Sequence, residues 1–424
     1  MTGPSAYVIT VIGALLPAYL ATVIVGEEGI QIGKVTLSAT SLWGYMAGAS
    51  AFFVFLFAPI LGAIADFSAA KKKFLISFAY MGSLFTLLLY FPRSGALWSV
   101  VIFAMVSRIG FVGANIFYDA FLPQIASEDK IDWVSGKGYA FGYIGGGLQF
   151  AIALGLVAGH EVLGISEALA VRIGMAMAGL WWAGFTLVAL KHLKEAETTE
   201  KMPEEYKSKA KWRAYTAIGL TRTFKTFKKI ARFKHLLIFL IAFMIYNDGI
   251  GTVIIMATIF GKEELQLSTT TLMVTLLIVQ FVASVGALLF GKLAGHIGTK
   301  YAVMVSLVLW SGVVTYAYFM HTATEYLILG VIVGIVLGGS QALSRSFYGS
   351  MIPEEASAEF YGFYSVFSKF SAIWGPVAFA VIRQVTGTAR LSIISLIVFF
   401  IVGLILLYFV DEEQAREAKL AGAF

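Results

Sequence analysis

Runs of about 20 apolar residues, parted by short polar turns, recur along the whole chain, and each is long enough to cross ~30 Å of hydrocarbon. Twelve are read, at about 5–25, 40–64, 74–91, 97–122, 138–159, 169–190, 236–260, 269–293, 301–320, 325–350, 360–382 and 391–410. The polar/apolar alternation of barrel strands is missing, and backbone in lipid must satisfy its own hydrogen bonds, so the runs are helices. The expectation is an all-α membrane protein with twelve transmembrane helices. The first run has no basic region before it and no small-residue cleavage site, so it reads as a retained helix. One run, "IAFMIYNDGIGTVIIMA" (Ile241 to Ala257), carries Asn-Asp-Gly near its centre.

Composition supports this: 59% of the 424 residues are hydrophobic and 13% charged, too few charges to wet a soluble surface of this size. There is no cysteine, which excludes disulfides and thiolate metal sites. The five histidines fall near the ends of apolar runs and form no cluster, so no metal or other cofactor is expected. Most of the 31 lysines and arginines lie on one set of loops if both termini are cytoplasmic, which fixes that orientation as the expected one. The net charge of +6 then reports topology and contact with anionic lipid, and nucleic acid is excluded as a partner.

The chain divides at one linker. Residues 1–190 form a first six-helix bundle, 191–235 a cytoplasmic linker, 236–411 a second six-helix bundle and 412–424 a cytoplasmic tail. The linker's second part interleaves Trp212, Phe224, Phe227 and Phe233 with Arg222, Lys225, Lys228, Lys229 and Arg232. That pattern predicts a basic amphipathic helix against anionic lipid over 212–235. "FYDAFLPQI" (Phe117 to Ile125) and "FYGSMIPEE" (Phe347 to Glu355) share Phe-Tyr and a proline, and Gly62 and Gly291 are separated by nearly the same stretch of chain. Duplicated six-helix halves are a mark of secondary transporters with a midplane site.

The residues here resemble the major facilitator superfamily. "GAIADFSAAKKK" (Gly62 to Lys73) is similar to its signature loop between helices two and three, and "GKLAGHIGTK" (Gly291 to Lys300) to the repeat of that loop, with Gly295 where the aspartate stands. "YNDGIGTV", "YDAFLPQIA" and the block from Gly338 to Pro376 resemble a narrower branch, the autophagy-related vacuolar amino-acid effluxers and their bacterial relatives. The start departs from that branch. Only Ser5-Ala6-Tyr7 matches, and no role for a helix-one carboxylate carries over. The resemblance implies a central cavity lined by helices one, four, seven and ten.

Arg108, Asp119, Asp248, Arg345 and Lys369 fall well inside predicted spans. Each costs roughly 2.5–3.5 kcal/mol at a helix centre, so each needs water or a partner. At about 100° per residue, Arg108, Asn115 and Asp119 share one face of the fourth helix, as Gln341, Arg345 and Tyr348 do on the tenth, with Ser344 beside them. By the repeat Arg345 corresponds to Asn115. The expected substrate-binding residues are Arg108, Asn115, Gln149, Asn247, Asp248, Gln341, Ser344, Arg345 and Lys369; interhelical hydrogen bonding is the competing reading. Asp66, Lys71, Lys72, Lys73 and Asp119 are the expected gate residues. Asn-Asp-Gly predicts a break in the seventh helix, and Asp248 is either a carboxylate bonded to its own backbone or a cavity group that carries a coupling proton or holds a substrate ammonium. The glycines of "GYIGGGLQF" are read as helix-packing positions, and Gly136-x-Gly138 is discounted as a nucleotide loop because no strand precedes it.

The expected function is secondary active transport, by alternating access, of a small polar solute such as an amino acid. The expected direction is export, with H+ as a coupling ion. The chain is read as a monomer in a bacterial inner membrane, with a vacuolar or lysosomal membrane as the alternative. A non-transporting sensor signalling through the linker and a membrane-embedded enzyme are the competing classes. The enzyme would need a nucleophile–base pair or metal cluster at one depth, and none is visible.

Overall fold

The structure is a computed structural model that describes residues 2–26, 29–32, 35–195, 203, 210–371 and 374–420. Spans one to six are Gly3–Val25, Ala39–Phe67, Lys71–Leu88, Leu97–Ala120, Ile131–Ala158 and Glu167–His192. Spans seven to ten are Lys234–Glu263, Thr269–Ile297, Thr299–Phe319 and Ala323–Met351. Span eleven is two helices, Ser357–Phe370 and Trp374–Thr386, and span twelve is Ala389–Ser395 followed by Ile397–Tyr408. A linker helix, Lys211–Arg232, and a tail helix, Glu412–Leu420, complete the chain, with one antiparallel hairpin pairing Ile30–Ile32 with Val35–Leu37. Among the described residues eleven helices are long and apolar enough to cross a membrane. The helix outside that set is Lys71–Leu88, which opens on three lysines and so has the shortest apolar stretch.

Local chemistry starts the helices where the pattern predicts. Ser166 and Ser268 accept N–H groups three residues on, and Thr322 with Glu325 forms a capping box. The predicted break at Asn-Asp-Gly is corrected: span seven is continuous through Asn247, Asp248 and Gly249. The polar side chains there bond to span eleven instead of to their own backbone, and no proline removes an N–H. In span eleven the described helices are Ser357–Phe370 and Trp374–Thr386, and residues 372 and 373 lie outside the described ones.

The chain folds as two compact units that do not coincide with the two halves of the sequence. The first is residues 1–58, 68–118 and 141–198. Its centre is Trp182, stacked near Tyr7 at 5.3 Å, with Gly82 beneath the indole where a Cβ would collide. Gly146, in the glycine run of span five, lies against Ser5 and Ile9 of span one, a close helix contact. The second unit is residues 59–67, 119–140 and 199–424. Spans eight and ten approach closely there, with Gly338 on the Ala283 carbonyl and Gly286 on Ile335. Gly136 likewise sits on the Ala287 carbonyl, which gives Gly136-x-Gly138 a packing role.

The linker helix exists as predicted, and its apolar face is covered by protein. Ala214, Ile218 and Ile230 are buried, Gly219 packs on Ile60 and Ile64, and Arg222 lies over the Phe67 ring at 5.4 Å. Leu220, Phe224 and Phe227 remain exposed beside Lys225 and Lys228. The side chains of Trp212 and Arg232 lie outside the described ones, as does most of 196–209.

Candidate functional site

The second unit contains a buried charge pair. Arg345, 1% exposed, donates from Nη1 to Asp119 Oδ1 at 3.0 Å, from Nε to Ser135 Oγ at 3.0 Å and from Nη2 to the Ser135 carbonyl at 3.0 Å. Its guanidinium lies over the Tyr139 ring at 4.6 Å, and Ser135 Oγ donates onward to the Ala342 carbonyl at 2.7 Å. The expected gate residue Asp119 and the expected substrate residue Arg345 therefore meet each other. Nearby, Asp66 accepts the main-chain N–H groups of Ala358 (3.2 Å) and Glu359 (2.8 Å), at the start of Ser357–Phe370, a helix with no side-chain cap of its own. Gly62 fits because a Cβ there would overlap the Ala358 carbonyl. The repeat loop is built the same way with the chemistry reversed. Gly291 faces the Asp132 carbonyl at the start of span five, and Thr299 donates to Asp132 Oδ2 at 2.6 Å. The carboxylate missing at Gly295 is supplied from the other side.

The same unit holds Asp248. It is 2% exposed in the middle of span seven, and its Oδ2 accepts N–H from Trp374 (3.0 Å) and Gly375 (2.9 Å). Asn247 donates to Ser371 Oγ at 2.6 Å, so two consecutive residues of span seven hold Ser371 and the start of Trp374–Thr386. Asp248 Oδ1 and Thr252 Oγ1 are buried and have no hydrogen-bond partner among the described residues. Ser344 bonds the buried Tyr246 hydroxyl at 2.7 Å. Gln341 is half-buried on span ten, and Lys369 half-buried on Ser357–Phe370.

In the first unit Arg108 is half-buried, with its guanidinium 5.9 Å from the centre of the Trp43 ring and no carboxylate partner among the described residues. The adjacent Ser107 hydroxyl bonds the Tyr7 hydroxyl at 2.8 Å. Asn115 is half-buried two turns along. Gln149 is bonded to Thr10 Oγ1 and to the Gly174 carbonyl. Lys71 is buried, Lys72 half-buried and Lys73 exposed; the N–H groups of Lys71 and Lys72 donate to Glu195 at 3.0 and 2.6 Å. The second unit has the parallel bond, Lys300 N–H to Glu412 at 3.0 Å.

The profile of the "Vacuole effluxer Atg22 like" family matches residues 25–420. The chain belongs to this Atg22-like family. It is 35% identical over 98% of its length to the uncharacterised MFS-type transporter YxiO of Bacillus subtilis (strain 168), of which it covers 94%. It is 27% identical over 72% of its length to autophagy-related protein 22-1 of Aspergillus clavatus, covering 53% of that protein. The fold is that of the major facilitator superfamily. The proton:xylose symporter XylE superposes with a TM-score of 0.68 at 14% identity, over 97% of this chain and 93% of the carrier. The Escherichia coli fucose:proton symporter FucP does so with a TM-score of 0.67 at 12% identity, over 97% and 96%.

Sequence reasoning missed Ser135, Tyr139, Trp43 and Thr252, the residues that contact or neighbour the Atg22-like chain's buried charges. Ser135 and Tyr139 had a signal, since each follows Asp132 at helical spacing on the span that carries the packing glycine Gly136. Trp43 and Thr252 had none beyond lying in apolar spans.

Proposed function

We propose that this chain is a secondary active transporter that moves a small carboxylate-bearing solute, an amino acid or related metabolite, by alternating access. Arg108 carries the reading. Arg345 already holds Asp119, whereas Arg108 lies within a membrane span over an aromatic ring and has no carboxylate beside it among the described residues. A guanidinium in that position is a ready anchor for a carboxylate, with Trp43 beside it and Asn115 two turns along the same helix. The Asp119–Arg345 pair and the Asp66 and Asp132 contacts are the gate at the end assigned to the cytoplasm. Arg345 serves substrate only if that pair opens. Export accords with a family of vacuole effluxers, and Asp248 is the group proposed to couple H+. The exposed Leu220, Phe224 and Phe227, with Lys225 and Lys228, favour contact with anionic lipid at the inner face of a bacterial membrane.

The test is uptake into proteoliposomes from a panel of amino acids, with and without a pH gradient. At least one amino acid should move, and Arg108→Gln should lower its flux about thirtyfold, the loss of a charge-assisted hydrogen bond of roughly 2 kcal/mol. Equal flux through Arg108→Gln, or no movement of any solute by folded protein, would overturn the reading.

A further inference from the structure

Asp248 has one oxygen fully used and one unused. Oδ2 takes both main-chain donors at the start of Trp374–Thr386, while Oδ1 and the Thr252 hydroxyl lie buried side by side without partners among the described residues. A Cβ on Gly375 would overlap Thr252 Oγ1 and stand 2.7 Å from Asp248 Oδ1, so glycine is what leaves these two oxygens their space. We propose that Asp248 and Thr252 form a single-proton site that sets how tightly span seven grips the N-terminus of Trp374–Thr386. This deepens the proton-coupled reading above and rests on it for its place in transport.

Neighbouring helices bring few charges toward the site. Ile397–Tyr408 has no charged residue, and the other ionisable neighbours are engaged elsewhere. Arg345 is paired with Asp119, Arg390 with Glu264 at 3.4 Å, the Tyr246 hydroxyl with Ser344, and Tyr364 stacks on Phe243. Lys369 and Arg383 lie on the two segments of span eleven, and neither donates to Asp248. Lys292, Lys300, Glu325 and Glu359 stand at helix ends. The carboxyl therefore answers mainly to the half-helix it caps and to Thr252.

Ionised, Asp248 caps the N-terminus of Trp374–Thr386 with a full negative charge and charge-assisted hydrogen bonds. A proton taken up on Oδ1 is donated to Thr252 Oγ1. Oδ2 then accepts from Trp374 and Gly375 as a neutral oxygen, at about half the strength. No other bond is made or broken. Proton binding and the release of the Trp374–Thr386 N-terminus from span seven are thereby linked, and the linkage is reciprocal.

Two measurements on the full-length protein in liposomes test this without any substrate. Acid-minus-alkaline infrared difference spectra should contain a protonated-carboxyl carbonyl band that is lost in Asp248→Asn, shifted in Thr252→Val and restored in Thr252→Ser. Amide exchange over residues 374–386, corrected for intrinsic rates, should be roughly fivefold slower at alkaline than at acid pH, and Asp248→Asn should remove that difference. An unchanged band in Asp248→Asn, or no pH dependence of exchange in the wild type, would overturn the proposal. A protein that moved no solute yet gave these results would fail as a transporter and keep its proton site.

Discussion

A carboxylate in the middle of a membrane helix must be met by donors, and Asp248 is met by two main-chain N–H groups of another helix. Arg345 is met just as fully, by Asp119 and by Ser135 twice. The burial cost of each charge marked both residues in the sequence. Their partners were not legible, because a pair such as Asp119 and Arg345 joins positions far apart in the chain and helical periodicity reports only which residues share a face. Gln149, expected in the cavity, is bonded to Thr10 and to the Gly174 carbonyl. The buried pair carries a measurable coupling. Asp119→Ala should destabilise the purified protein by about 3–5 kcal/mol, since it leaves a guanidinium buried without its carboxylate. The double variant Asp119→Ala with Arg345→Met should lose less than the sum of the singles in denaturant unfolding. Simple additivity would mean the pair is not coupled.

Elements were legible in a different way. The twelve apolar runs are helical, eleven of them long and apolar enough to cross a membrane among the described residues, and the basic linker contains a helix. The break expected at Asn-Asp-Gly is not there: its side chains found donors and acceptors on span eleven instead of on their own backbone. The tail helix was unforeseen as a clasp: Arg416 and Lys419 both hold Glu128, in the turn between spans four and five. The hydrogen bond from Arg416, helped by Lys419, holds the Glu128 carboxyl below the usual glutamate range. A carboxyl with a lowered folded-state value contributes stability that is complete above its ordinary value and is lost as pH falls through the lowered one. Amide exchange over Glu412–Leu420 should therefore accelerate, after intrinsic correction, as the solution is acidified through that range, and Glu128→Gln should be fast at every pH. A tail whose protection ignores both changes is held by something else.

At the scale of the molecule the internal repeat is the organising fact. Gly62 seats the end of span two on the start of span eleven, and Gly291 seats the end of span eight on the start of span five, so the second unit contains two reciprocal copies of one contact. Glu195 and Glu412 repeat a second contact, each capping a span that follows a signature loop. The repeat was visible in the sequence as matched glycines and Phe-Tyr motifs; what those residues touch was not, because the fold, and not the local pattern, brings the contacts together. In the reading proposed above these paired contacts act as a gate, and Arg108, without a carboxylate beside it among the described residues, holds the solute. Counterflow of an amino acid found by the uptake panel, in proteoliposomes without a pH gradient, tests that account most directly. Wild type and Asp248→Asn should exchange solute, while Arg108→Gln should not; exchange by Arg108→Gln at the wild-type rate would contradict it.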